Sequence, residues 1–208
     1  MMLTNYRMRE HDRKLIDGLY DLGAYVLGRI GKEVEDGYHT AMVEIGCYRG
    51  ESTRIWSTMF NEVYAIDPWE YETAYMLREF NHVCKQQPLE KIKEELDWEN
   101  IGTIATGVED SFDEVTKTRK NIFKMKGTSM ELCNTFEEEE LDFVYIDGDH
   151  SYEAVVDDIM GWLPKLKPNR FIAGHDYTGN YPQIKEAVNT ILQKPDAVFQ
   201  DGSWVCMI

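Results

Sequence analysis

Two short tracts carry the residue types from which a reactive site is built. Asp147, Gly148, Asp149 and His150 close an apolar, β-branched run, Leu141 to Ile146. Gly174, His175 and Asp176 close a second run, Phe171 to Ala173. A helical segment lies between them, so the unit reads strand, helix, strand, with ionisable residues at the carboxyl ends of both strands. Open parallel sheets bind ligands outside those ends. Neighbouring strands lie roughly 5 Å apart, which lets Asp147, His150, His175 and Asp176 converge on one small volume. An imidazole there can take a proton near neutral pH, and carboxylates with imidazoles can hold a divalent ion.

A second candidate lies in the first strand-to-helix turn, Glu44-Ile45-Gly46-Cys47-Tyr48-Arg49-Gly50. Glycines in such a turn let backbone approach a ligand closely. The pattern is not GxGxxG, because Tyr48 and Glu51 stand where glycines would be needed. Glu44 suits a cationic ligand group such as an ammonium. Asp67 ends the second strand, 21 residues after Gly46. A carboxylate there can accept both hydroxyls of a ribose, each bond being worth roughly 1.5–3 kcal/mol. Trp69 either stacks on a base or roofs the core. Ser129 ends the third strand, where an adenine edge lies if a ribose sits at Asp67; its alternative is to cap a helix over 130–135. Asp67 has its own plain alternative as a cap or surface residue, and His150 as a satisfied structural histidine.

The elements that must position these groups follow from periodicity. Leu15, Leu19, Leu22, Val26 and Ile30 recur at helical spacing. Ala41 to Ile45 reads as a buried strand, and a helix begins at Glu51 or Ser52 with Ile55, Trp56, Met59 and Phe60 inward. Val63 to Ile66 is the second strand. Residues 70–107 break the rhythm with two helical pieces, about 71–80 and 88–97; so long a connection suggests a lid or binding element. A helix over 110–119, a strand over Ile122 to Met125 and the strand Leu141 to Ile146 follow. The helix after His150 turns Val155, Ile159, Trp162, Leu163 and Leu166 inward and stops near Pro164 to Pro168. Pro182 opens a last helix with an Ile184, Ala187, Val188, Ile191 and Leu192 stripe. Ala197 to Phe199 and Trp204 to Ile208 close the fold around Asp201-Gly202. The expected architecture is a single α/β domain over 1–208: a Rossmann-like, seven-stranded, mostly parallel sheet with helices on both faces and the last strand antiparallel. Residues 1–38 would form an N-terminal helical cap and 70–107 a helical insertion or lid.

Bulk properties narrow the class. The 208 residues are 43% hydrophobic, enough for a full core, and carry a net charge of −16. That charge disfavours an electrostatic grip on nucleic acid or an anionic membrane. No apolar run approaches the roughly 20 residues of a spanning helix, and no signal-peptide core is evident, so a cytoplasmic protein is expected. Cys47, Cys84, Cys133 and Cys206 are scattered without a CxxC pair and read as buried thiols in a reducing compartment. A homo-oligomer is compatible with all of this.

The tracts VEIGCYRGEST, VYAIDPW, FKMKGTSMEL, LDFVYIDGDHSYE and FIAGHDY, in this order, resemble class I S-adenosylmethionine (SAM)-dependent methyltransferases. The match is closest to the small O-methyltransferases of the catechol and macrocin types and covers about residues 40–208. By that resemblance Glu44, Gly46 and Gly50, with Tyr48 and Ser52 of the same turn, hold the methionine part of SAM. Asp67 holds the ribose hydroxyls; Trp69, Ser129 and Asp147 border the rest of the cofactor. In metal-dependent relatives an Asp ending strand four and two residues ending strand five hold Mg²⁺, which here are Asp147, His175 and Asp176. The macrocin type places its general base at the position of His150. One departure stands out: position 175 is an acid in such relatives and His here. Mg²⁺ prefers oxygen, so either Mn²⁺ or a softer ion takes its place, or binding is weak, or no metal is used.

The reaction implied is methyl transfer to a hydroxyl of a small molecule or sugar, with His150 and Asp147 at the reacting centre. Two rivals come from other classes. Asp147, His150 and His175 also match a two-His, one-carboxylate iron oxygenase, which leaves Glu44 and Asp67 without a task. The other rival is a SAM-binding module with no catalysis.

Overall fold

In a computed structural model, residues 10–35, 37–70 and 107–208 are described, with the side chains of 10–12 set aside. The seven strands are β1 (Ala41–Ile45), β2 (Glu62–Asp67), β3 (Ile122–Lys126), β4 (Leu141–Ile146), β5 (Leu166–Gly174), β6 (Ala197–Val198) and β7 (Trp204–Met207). They form one sheet in the order β3-β2-β1-β4-β5-β7-β6. The first five run parallel, and β7 pairs antiparallel with both β5 and β6. This is the Rossmann-like, mostly parallel sheet expected from the alternation of strand and helix. The chain order reverses between β1 and β4, which opens a crevice at their carboxyl ends.

Six α-helices are described: α1 (Glu10–Ile30), α2 (Glu51–Trp56), α3 (Val108–Thr116), α4 (Ser129–Leu132), α5 (Tyr152–Trp162) and α6 (Pro182–Leu192). The sheet is buried on both sides, so alternate strand residues feed two separate cores. Val43, Ile45, Val144, Ile146 and Ile172 meet Val155, Ile159 and Trp162 of α5 and Ile184, Ala187 and Val188 of α6. Met42, Phe143, Tyr145 and Phe171 face the other way, against Leu19, Leu22, Val26 and Ile30 of α1 and Trp56 of α2. Cys47, Ala65, Trp69, Val108 and Phe112 make a smaller cluster under α3.

Several boundaries move. The fifth strand begins at Leu166 rather than Phe171, with a register shift opposite Leu141 and Phe143. Pro168 lies within that irregular stretch; proline donates no ladder bond and is tolerated at bulges. The helix after β1 is shorter than its apolar spacing suggests: it ends at Trp56, and a turn carries buried Phe60 back toward β2. The third helix is Val108–Thr116 rather than 110–119. Residues 130–135 divide into α4 and a 3₁₀ turn, Cys133–Thr135. Cys47, Cys133 and Cys206 are free and buried, whereas Cys84 lies outside the described residues. So do the two helical pieces expected within 71–106, and with them the lid.

Candidate active site

Glu44, next to last in β1, is fully buried and faces α2. The Thr53 hydroxyl donates to its Oε2, while Oε1 has no hydrogen-bond partner among the described residues. Burial pushes its pKa up to about 7 against the opposing hydrogen bonds from Ser52 and Thr53, and the charge of Asp147 adds to the rise. An isolated buried carboxylate is costly unless a cation meets it. Gly46 follows at φ +83°, and a Cβ there would sit 2.1 Å from the Asp147 carbonyl oxygen. The β1 and β4 tips therefore touch through a position that only glycine can occupy.

Tyr48 adopts φ +46°, which aims its N–H at Asp67 Oδ2 across 2.9 Å. Trp69 N donates to Asp67 Oδ1 at 2.7 Å, and Trp69 Nε1 donates to the Tyr48 carbonyl at 2.9 Å. Asp67 thus locks the two turns that flank it. The Trp69 ring is buried, packed 4.8 Å from Phe112, which places it over the small core. Gly50 precedes α2 as its N-cap.

Ser129 behaves differently from the cap envisaged for it. Thr128 caps α4, in a reciprocal box with Glu131. The Ser129 hydroxyl instead accepts from Trp162 Nε1 at 2.8 Å and bonds to Asp158. Burial raises the Asp158 pKa to about 6. Ser129 therefore ties α4 to α5. Asp158 escaped sequence reasoning because an acid inside a helical stripe reads as solvated.

At the β4 and β5 tips the four expected residues converge. One ligand atom each from Asp147, His175 and Asp176 lies within 4.8 Å of the others. His150 Nε2 lies 3.2 Å from Asp176 Oδ2 and 3.8 Å from Asp147 Oδ1, and its ring is 4.6 Å from Tyr181. His175 Nδ1 lies 3.4 Å from Asp176 Oδ1. Burial works against a charge on His175, but the bond to Asp176 and the nearby carboxylates of Asp147, Asp176 and Asp201 prevail and raise its pKa to about 9. Burial likewise opposes ionisation of Asp176, yet His150 and His175 hold it well below the usual carboxylate range. Asp176 sits at φ +59°, a conformation uncommon for a non-glycine residue and often found at functional sites. A small cavity beneath these tips is lined in part by His150, His175, Ile184 and Trp204. Two carboxylates and an imidazole so arranged fit a divalent ion that accepts nitrogen, such as Mn²⁺, better than Mg²⁺.

A switch-point crevice with a buried acid on β1, a lone acid ending β2 and an acid–imidazole cluster on β4 and β5 defines a class I SAM-dependent methyltransferase. The chain belongs to the family described as "Methyltransferase domain", whose model matches residues 43–177. Comparison with curated proteins finds no match. Among solved structures, the O-methyltransferase NovP aligns with a TM-score of 0.62 at 15% identity, over 91% of this chain and 78% of that one. CalS11, a TDP-rhamnose 3'-O-methyltransferase of calicheamicin biosynthesis, aligns at 0.56 and 11% identity over 96% and 81%. An rRNA methylase from Streptococcus thermophilus aligns at 0.52 and 13% identity, over 100% of this chain and 97% of that one. At such identities the likeness concerns the fold. No helix among the described residues is long and apolar enough to cross a membrane.

Proposed function

We propose that this methyltransferase transfers the methyl group of SAM to a hydroxyl of a small molecule or sugar, with His150 as general base. The observation that carries this reading is the imidazole itself: His150 Nε2 lies 3.2 Å from Asp176 at a strand tip beside the switch-point crevice. A base oriented by a carboxylate is what a neutral hydroxyl needs before it can attack.

In this reading Glu44 meets the ammonium of the methionine moiety, and Gly46, Tyr48, Gly50 and Ser52 shape the turn around it. Asp67 accepts from the ribose hydroxyls. Ser129, through its tie to α5, supports the adenine side, and Trp69 braces the Asp67 turn from below. The acceptor oxygen attacks the methyl carbon in line with the departing sulfur. The C–S bond breaks as the O–C bond forms, its electron pair stays on S-adenosylhomocysteine (SAH), and the hydroxyl proton passes to His150. Positioned bases contribute roughly 10²–10⁴-fold, and holding the reactants in line can be worth roughly 7–11 kcal/mol. Asp147, His175 and Asp176 would hold a divalent ion, which favours the alkoxide form of an oxygen beside it. The N-terminal helix would flank the acceptor within a single domain spanning 1–208. The net charge of −16 favours a small acceptor over RNA, since phosphate-rich partners need a basic footprint.

The test is SAH release with a panel of sugars, glycosides and catechols, alongside amines and RNA. Turnover with hydroxyl acceptors only, falling roughly 10²–10⁴-fold in His150→Ala at unchanged SAH affinity, supports the reading. Methylation confined to amines or RNA, or full activity in His150→Ala, refutes it.

A further inference from the structure

His175 has a second carboxylate partner that belongs to no strand tip of the parallel sheet. Asp201 lies in the turn between β6 and β7, and its Oδ2 is 3.8 Å from His175 Nε2. The Asp201 side chain is 2% exposed and that of His175 14%. His175 Nε2 is itself buried without a hydrogen-bond partner among the described residues. The opposite ring nitrogen, Nδ1, is the one that faces Asp176.

Asp201 is held in place from two directions. Ser203 donates to it twice, through its backbone N–H at 3.1 Å to Oδ1 and its hydroxyl at 2.7 Å to Oδ2. On the far side α1 presents Gly18, where a Cβ would lie 2.1 Å from the Asp201 carboxyl carbon. Any larger residue at position 18 displaces the carboxylate. The N-terminal half of α1, the closing hairpin and the tip of β5 are therefore built around one acid–imidazole contact.

We propose that Asp201 is a positioning residue: it accepts a hydrogen bond from His175 Nε2–H and so presents Nδ1, beside Asp176, as the nitrogen ligand for a divalent ion. The inference rests on the metal reading given under Proposed function. A histidine ligand usually donates its other N–H to a carboxylate or carbonyl, which fixes the tautomer and ring orientation. Closing the 3.8 Å gap to hydrogen-bond length needs a shift of only about 1 Å. An acid at position 175 would have no use for such a partner, so His175 and Asp201 work as a pair.

The test uses the whole chain and Mn²⁺ alone, followed by the paramagnetic resonance signal of the free aqueous ion, with SAH binding measured in parallel by calorimetry. Asp201→Asn preserves the size of the side chain and an acceptor for Ser203. It is expected to weaken Mn²⁺ binding about 10- to 100-fold, the usual effect of losing such a partner, while SAH binds as to the parent. Gly18→Ala, which keeps Asp201 but moves its carboxylate, is expected to weaken Mn²⁺ in the same direction and serves if Asp201→Asn does not fold. In a His175→Asn background, where an amide oxygen needs no tautomer, Asp201→Asn is expected to change nothing. Parent-like Mn²⁺ binding by Asp201→Asn, or an equal loss in the His175→Asn background, overturns the pairing. A parent that binds SAH but no Mn²⁺ overturns the metal reading together with it.

Discussion

The two ends of the sheet bury charge in opposite ways. At the amino ends, Asp142 on β4 has a side chain with 0% exposure. It accepts from Tyr38 Oη at 2.7 Å, Arg170 Nε at 2.8 Å, Ala41 N at 3.0 Å and Lys167 Nζ at 3.1 Å. Arg170 Nη1 continues to Glu33 at 3.3 Å. Burial disfavours the Asp142 charge, but these four donors outweigh it and hold its pKa below the ordinary range. Two acids meet two bases. At the carboxyl ends, Asp147, Asp176 and Asp201 lie beside the imidazoles of His150 and His175, Glu44 is buried within reach of the Asp147 charge, and Glu44 Oε1 and His175 Nε2 lack hydrogen-bond partners among the described residues. A balanced, satisfied cluster is structural; an acid-rich one with orphaned atoms is built for what comes from outside.

The sharpest way to break the comparison is Asp142→Ala. Removing the fully buried acid strips Arg170 of its 2.8 Å partner and leaves it only the more exposed Glu33, at a cost of about 3–5 kcal/mol. Denaturant unfolding should show that loss, while the folded fraction binds SAH like the parent. A large loss of SAH affinity in the folded protein would deny that the lower cluster is purely structural.

Glu44→Gln probes the upper end. The folded pKa of Glu44 is raised from 4.5 to about 7. Its contribution to stability is therefore full below 4.5, is lost as pH rises through 7 and changes no further above that. The shift corresponds to about 3 kcal/mol. Ligand-free Glu44→Gln should be more stable than the parent at pH 8 and comparable at pH 4. Asp158 titrates with the same sign up to about 6 in both proteins, so the difference between their pH profiles isolates Glu44. On the proposal that the SAM ammonium supplies the missing cation, SAM affinity of the parent should climb between pH 5 and 8, and that of Glu44→Gln should stay flat and lower. Identical profiles for the two proteins would remove Glu44 from cofactor binding.

Gly46→Ala is the mildest perturbation in chemistry. The left-handed φ alone costs about 1–3 kcal/mol, and the added Cβ collides with the Asp147 carbonyl. Melting temperature and SAH affinity should fall together. Parent-like SAH binding would show that the β1–β4 contact does not shape the cofactor site.

Much of this division was legible in the amino-acid order. Apolar runs ending in glycine and acid marked β1, β2, β4 and β5, because a sheet buried on both faces needs uninterrupted hydrophobic strands. The chemistry concentrated at their ends followed from where parallel sheets bind ligands. The lower cluster was not legible: Lys167 and Arg170 flank Pro168 and Asn169, which read as a break between elements and prove to be an irregular start to β5. Thr128 and Ser129 are adjacent hydroxyls; the Glu131 three residues after Thr128 assigns the cap to Thr128, and only the position of Trp162 gives Ser129 its own partner. Asp201 lies 26 residues beyond His175 and meets it only because β7 returns antiparallel to β5, a tertiary fact without a local signature.

The central claim is that the strand tips around the β1–β4 switch bind SAM through Asp67, and calorimetric titration of SAH into the parent and Asp67→Ala tests it most directly. Loss of two charge-assisted bonds of roughly 1.5–3 kcal/mol each predicts at least about 100-fold weaker binding by the variant. No heat of binding with the parent, or equal affinities for the two proteins, would contradict the account.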